Sequence, residues 1–225
     1  MLKKAIGKIH LWLGLGSGMV IMLSMIGASI FVWQEELTDW YYADIIFNEE
    51  YPDQKILPQS MLHARVSAAY PGKEFNFLLI ENDPNRNVAW RSYKAAEKPG
   101  LTWPSGIDHY LIVYINPYTG DIPGHIDLRK DWINLSRFLH QTLLLEYELG
   151  TSIIGVAALV MLIMAISGLV IWWPKNRRTL RRRLKIKWRA KFKRVNWDLH
   201  SVGGVYTYLF ILFFAATGLT WSYTW

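Results

Sequence analysis

Three stretches of this chain contain no Asp, Glu, Lys or Arg: Leu11–Gln34, Leu149–Pro174 and Leu199–Trp225. A helix rises about 1.5 Å per residue, so each stretch is long enough to cross a hydrocarbon layer of about 30 Å. Three such windows in 225 residues point to a multi-pass membrane protein and leave little room for a purely soluble one. Lys3, Lys4 and Lys8 before the first run imitate a secretory signal. The run is too long for a signal core, and Ile30-Phe-Val-Trp33 is no small-residue cleavage site, so it reads as a retained first helix.

Charge separates sharply between the windows. Residues 1–10 carry three Lys, and residues 174–198 carry twelve basic residues against one acid, Asp198. Residues 34–148 carry seventeen acids and ten bases, a net of −7. The cytoplasmic preference of Lys and Arg then puts the N-terminus and the 174–198 loop inside, with residues 35–148 and the C-terminus outside. Beside a span, the basic loop is read as a topology signal lying on anionic lipid, with Leu180, Leu184, Ile186 and Trp188 dipping into the interface, rather than as a nucleic-acid patch. Trp12, Trp33, Trp172, Trp173, Trp221 and Trp225 stand near the span ends, where amphipathic rings prefer the headgroup layer.

The segment between the first two windows is long enough for one small core. Leu57-Pro58 opens a helix whose stripe is Leu62, Val66, Ala69 and Tyr70, stopped at Pro71-Gly72. Phe75–Ile80, Val88–Tyr93 and Tyr110–Ile115 read as three strands, the last closed by the turn Asn116-Pro-Tyr-Thr-Gly120. Trp132, Ile133, Leu135, Phe138, Leu139 and Leu143 then form an apolar face expected to lie on the outer membrane surface before the second span. No phosphate cradle, recognisable carboxylate pair or nucleophile with a base at readable spacing is present, so hydrolysis has no visible apparatus.

The absence of cysteine excludes thiolate metal sites and covalent haem attachment. Any metal must be held by nitrogen or oxygen. His10 and His200 stand at the same end of the parallel first and third spans, and each is followed four residues later by glycine, Gly14 and Gly204, on the same helical face. A flat macrocycle between two histidines needs helix surface free of side chains beside it, and bis-imidazole ligation suits electron transfer. The same residues also fit interfacial hydrogen bonding and close helix packing. Zinc lacks a third ligand there except Asp198. His140 belongs to the other end of the second span and cannot share the site. His109 and His125 are outer-domain candidates to complete a second site but read more readily as surface residues, and His63 reads as a solvated helix residue. Small-residue steps at Gly27-Ala-Ser29, Ser167-Gly168 and Thr217-Gly218 support helices in contact.

Ile9-His-Leu-Trp-Leu-Gly-Leu15 with Gly18, Leu139-His-Gln-Thr-Leu143 with Gly155, Ser167-Gly-Leu-Val-Ile-Trp-Trp-Pro174, and Asp198-Leu-His-Ser-Val-Gly203 followed by Ala216-Thr-Gly-Leu-Thr-Trp221 occur in order. With these segments the chain resembles the PepSY-associated transmembrane family, whose members include haem-containing ferric-siderophore reductases of the bacterial inner membrane. The middle segment is similar to PepSY through its helix–strand–strand–strand order and its ending Val113-Tyr-Ile-Asn-Pro-Tyr-Thr-Gly-Asp-Ile122.

The fold class implied is an α-helical membrane protein with three transmembrane helices and an extracytoplasmic α+β PepSY-like domain. Its parts are a first span (1–34), the outer domain (35–131), an outer amphipathic segment with the second span (132–174), a basic cytoplasmic loop (175–197) and a third span (198–225). The resemblance implies a b-type haem ligated by His10 and His200 and a second ligated by His140. Larger relatives resemble four-span proteins, so the second ligand of the outer haem is expected from the outer domain, another subunit or a further C-terminal portion. The function implied is a haem-dependent ferric reductase or electron-transfer subunit passing electrons from a cytoplasmic or membrane donor to a ferric siderophore or another oxidised substrate. The alternative is a membrane-anchored PepSY-like binding or regulatory module without redox activity.

Overall fold

The structure is a computed structural model that describes residues 2–48 and 55–223. The chain divides into two compact units, residues 24–150 and residues 1–23 with 151–225. The first helix, α1 (Leu2–Phe31), contributes to both.

In the unit of residues 24–150 the end of α1 is followed by α2 (Gln34–Tyr41), α3 (Ala43–Ile46) and α4 (Gln59–Ala69). Pro58 caps α4 at its start, and Tyr70 ends it just before Gly72, whose φ of +77° only glycine adopts at little cost. Four strands follow: β1 (Phe77–Leu79), β2 (Val88–Ala95), β3 (Ile107–Ile115) and β4 (Gly124–Asp127). They form an antiparallel sheet in the order β1-β2-β3-β4. The sequence predicts three strands, and the fourth is a finding. β4 is a four-residue strand in which Ile126 alone is buried, too short to show an alternating pattern.

The core under α4 is Leu62, Val66, Phe75, Val113 and Ile115. At the end of β3 the Asn116 carboxamide accepts hydrogen bonds from the backbone N–H of Tyr118 and Thr119, which builds the turn into β4. The last helix of this unit, α5 (Trp132–Thr142), starts at Asp131, whose carboxylate accepts the Asn134 N–H at 2.7 Å. Part of its apolar face, expected on the membrane surface, is turned into protein, while Trp132 is exposed. Ile133 is fully buried, and Phe138 stacks on Trp103 with ring centroids 3.6 Å apart in a cluster with Ile107. Amphipathic spacing is the same whether the apolar stripe meets lipid or protein, so the sequence does not separate the two.

α5 stops at Leu143 and Leu144, both with left-handed backbone, and the second span is a separate helix, α6 (Tyr147–Trp172). The Glu146 carboxylate accepts the N–H groups of Glu148 and Leu149 at its start. Those backbone bonds hold the Glu146 carboxyl below the usual carboxylate range. Beyond α6 come α7 (Arg177–Arg183), α8 (Phe192–Tyr206) and α9 (Tyr208–Ser222).

Two helices, α1 and α6, are long and apolar enough to span, with hydropathies of 1.8 and 2.8. A third span exists if α8 and α9 count as one, but they bend by 69° between Tyr206 and Tyr208. The single straight helix expected there is therefore broken. No proline lies in it: the Thr207 hydroxyl and N–H both donate to the Gly203 carbonyl at 2.9 Å, just after the weak helix formers Gly203 and Gly204. Of the interfacial tryptophans, Trp12, Trp33, Trp173 and Trp221 are exposed, and Trp225 lies outside the described residues.

Candidate functional site

In the unit that holds the start of α1 with α6 and α8, His10 and His200 come together with ring centroids 6.3 Å apart and planes at 68°. His10 is half-buried and His200 is exposed. His10 is held from α6, where Ser167 Oγ and His10 Nδ1 are hydrogen-bonded at 2.9 Å. The Ser167 hydroxyl also donates to the Met164 carbonyl at 3.2 Å. The hydroxyl has one proton for these two contacts, and it engages His10 Nδ1 in either tautomer of the ring. Nε2 of His10 has no hydrogen-bond partner among the described residues, which leaves it open to a metal.

His140, on α5, is held the same way within the other unit. Ser24 Oγ donates to the His140 carbonyl at 2.9 Å and lies 2.9 Å from His140 Nδ1. The Ser24 carbonyl, which can only accept, lies 3.1 Å from the same nitrogen, so Nδ1 is the donor and Nε2 is free. Gly27 lets α5 approach this closely. A Cβ there would stand 2.5 Å from the Ser136 carbonyl oxygen and 2.7 Å from the His140 N.

The other three histidines are occupied by the sheet domain. His63 packs edge-on to Trp90 and gives Nε2 to the Phe75 carbonyl at 3.3 Å; it is part of the core margin rather than a solvated helix residue. His125 Nδ1 meets the Tyr70 hydroxyl at 3.0 Å. His109, expected at the surface, is 5% exposed. Its Nε2 bonds Ser92 Oγ at 2.9 Å and its Nδ1 bonds Asp108 at 3.0 Å, an alignment invisible in the sequence. Ser92 is fully buried, so its hydroxyl meets no substrate and the three residues form a structural network. The family whose pattern is the PepSY-associated TM region matches residues 8–225, from just before the first histidine through the described end of α9. The chain belongs to this family.

No curated protein matches this PepSY-associated chain. Its two i+4 glycines differ in what they meet. A Cβ at Gly14 would stand 2.8 Å from Cε of Met164, which makes Gly14 a packing position between α1 and α6. A Cβ at Gly204 would meet nothing within 4 Å, as at Gly203 and Gly7, so α8 beside His200 has the bare surface that a flat group requires. Gly168, unweighed as a site residue from the sequence, lets the His10 ring lie against α6, where an added Cβ would come within 3.2 Å of Cε1.

With metal–nitrogen bonds of about 2 Å, two imidazoles on opposite sides of one metal place their centroids about 6 Å apart. The 6.3 Å separation of His10 and His200 matches that spacing. Among the described residues no group of three or more His, Cys, Asp or Glu comes together, so a metal ion held by protein side chains alone would lack ligands. A metal carried in its own equatorial ring would need only these two nitrogens. The donor set therefore fits a haem. An apolar groove of about 460 Å³ along α1 and α6, lined by Leu13, Gly16, Val20, Val156 and Val160 among others, carries no titratable side chain.

Proposed function

We propose that this PepSY-associated protein is a b-type haem electron-transfer protein of the bacterial inner membrane. His10 and His200 would hold one haem, and His140 would help to hold a second. The single observation that carries the reading is the His10–His200 pair with ring centroids 6.3 Å apart, in which His10 Nδ1 is engaged by Ser167 and Nε2 has no protein partner among the described residues. When bound, the haem iron supplies reversible one-electron chemistry. The chain's own part is to orient the two imidazoles, to keep α8 bare at Gly203 and Gly204, and to present an apolar helix surface around them.

The acceptor would be a ferric siderophore or another oxidised substrate on the side of the sheet domain, and the donor a cytoplasmic or membrane reductant. A second ligand for His140 would come from another subunit or a further segment of the protein. The excess of Lys and Arg at residues 1–10 and 174–198 supports placing those segments in the cytoplasm, with residues 35–148 and the C-terminus in the periplasm. The arginines of α7 would rest on anionic lipid there.

Absorption spectra of the purified full chain before and after dithionite test this reading. The expected result is a reduced b-type spectrum, with the low-spin signal lost in both His10→Ala and His200→Ala. A colourless protein, or a signal retained in both variants, overturns it.

A further inference from the structure

On one face of the sheet, Phe77 of β1 stands opposite Arg91 of β2, and Tyr93 of β2 stands opposite Tyr110 of β3. These four side chains line a depression of about 250 Å³. Phe77 and Tyr93 are more than half exposed, although aromatic side chains of this size are ordinarily buried in a domain core. The Arg91 guanidinium lies 4.0 Å over the Phe77 ring, and the two tyrosine rings meet edge to face at 5.3 Å.

The arginine here differs in its pairing from Arg86 and Arg129 of the same domain. Residues 34–148 carry a net of −7, and Arg86 and Arg129 there are paired with carboxylates at 2.7 to 3.0 Å. Arg91 has no acidic partner among the described residues, and its Nε is shut off from solvent without an acceptor. The hydroxyls of Tyr93 and Tyr110 likewise have no hydrogen-bond partner among the described residues. A cation without a counter-charge, stacked on one ring and flanked by two phenols, is complementary to an anion attached to a flat ring. The volume lies just below the usual range for small-molecule pockets, about 300 to 1,000 Å³, so it takes one ring rather than a large ligand.

The geometry points to a binding site for a small aromatic carboxylate, with Arg91 receiving the carboxylate and Phe77, Tyr93 and Tyr110 receiving the ring. None of these four residues is among those proposed to hold haem, so their occupancy is read without it. Tyrosine and arginine are the residues that most often dominate binding energy where they cluster, and here both are already held in place by ring contacts before any ligand arrives.

Saturation-transfer NMR on the purified full chain in a non-aromatic detergent tests the assignment, with benzoate as probe, benzylamine as the ring of opposite charge and acetate as the anion without a ring. Benzoate ring protons are expected to show transfer, with neither comparator doing so at equal concentration. Arg91→Gln, which removes the charge and leaves a polar side chain, is expected to weaken benzoate by about tenfold. Tyr93→Ala, at an exposed position, is expected to weaken it as well. Equal transfer to benzylamine, or benzoate binding unchanged in both variants, overturns the proposal. Should Arg91→Gln not fold, the comparison of benzoate with benzylamine on the unmodified chain decides it.

Discussion

Ser167 Oγ on α6 and Nδ1 of His10 on α1 are hydrogen-bonded at 2.9 Å, so one hydroxyl on α6 fixes the direction of a ring on α1. Partners of this kind commonly change metal affinity by about 10- to 100-fold when removed. Ser167→Ala is expected to lower haem retained per chain through dilution and to shift the reduction potential of the signal that depends on His10. The parallel change Ser24→Ala should leave that signal alone and affect only a signal that depends on His140. Identical spectra, potential and haem content in Ser167→Ala and the unmodified protein would count against the serine as a positioning residue.

Gly27 and Gly18 lie on the same helix and predict opposite outcomes. A Cβ at Gly27 meets backbone atoms of α5 at 2.5 and 2.7 Å, which cannot rotate away. Gly27→Ala should cost about 1 to 3 kcal/mol, the usual range for overpacking. A Cβ at Gly18 meets nothing within 4 Å, and alanine is favoured over glycine inside a helix by about 0.5 to 1 kcal/mol. Thermal unfolding should therefore move down for Gly27→Ala and stay level or move up for Gly18→Ala.

How much of this was legible in the sequence depends on the range of the interaction. The absence of charge over Leu11–Gln34 and Leu149–Pro174 locates α1 and α6, because the cost of charge in hydrocarbon acts on each residue separately. The break in the third span does not show in hydropathy. It falls at Thr207, just after the weak helix formers Gly203 and Gly204, and neither glycine nor threonine interrupts the apolar run. His10 and His200 could be singled out by their matching glycines, and Gly204 does open on free space. Gly14 faces Met164 instead, because which side of α1 meets α6 is set by helix register, which a single sequence does not display. Ser167-Gly168 was visible as a small-residue step, but its bond to His10 spans 157 positions. His109 reads as polar and therefore exposed, and only the folded sheet supplies the Ser92 hydroxyl that makes its burial tolerable.

Tyr114 on β3 is one of the tyrosines that contribute to the alkaline limit of the sheet domain. Burial pushes its phenol up to about 12; Arg86 opposes the shift, and the carboxylates of Glu81, Asp39 and Asp131 add to it. An unfolded tyrosine loses its proton near about 10. Below that pH the phenol is neutral in both states and its contribution is fully present. As pH rises from there toward 12, the unfolded chain releases the proton first and stability falls. Thermal unfolding followed against pH should show this decline, and Tyr114→Phe should flatten it.

At the acid end the corresponding group is Asp127, whose carboxylate accepts from the N–H, Nε and Nη2 of Arg129 at 3.0 to 3.1 Å. Burial alone would raise its titration, but the side-chain and backbone bonds from Arg129 outweigh it and hold the carboxyl below its ordinary value. A carboxylate depressed on folding contributes stability that is complete above the unfolded value, about 3.9, and is lost as pH falls through the lower folded one. Arg129 also donates from Nη1 to the Asp108 carbonyl, so protonating Asp127 loosens the side chain that ties the end of β4 to the start of β3. Asp127→Asn should therefore lower the melting temperature at neutral pH and leave a shallower decline below pH 4. A variant whose acid limb superimposes on that of the unmodified chain would show that this pair carries none of the acid sensitivity.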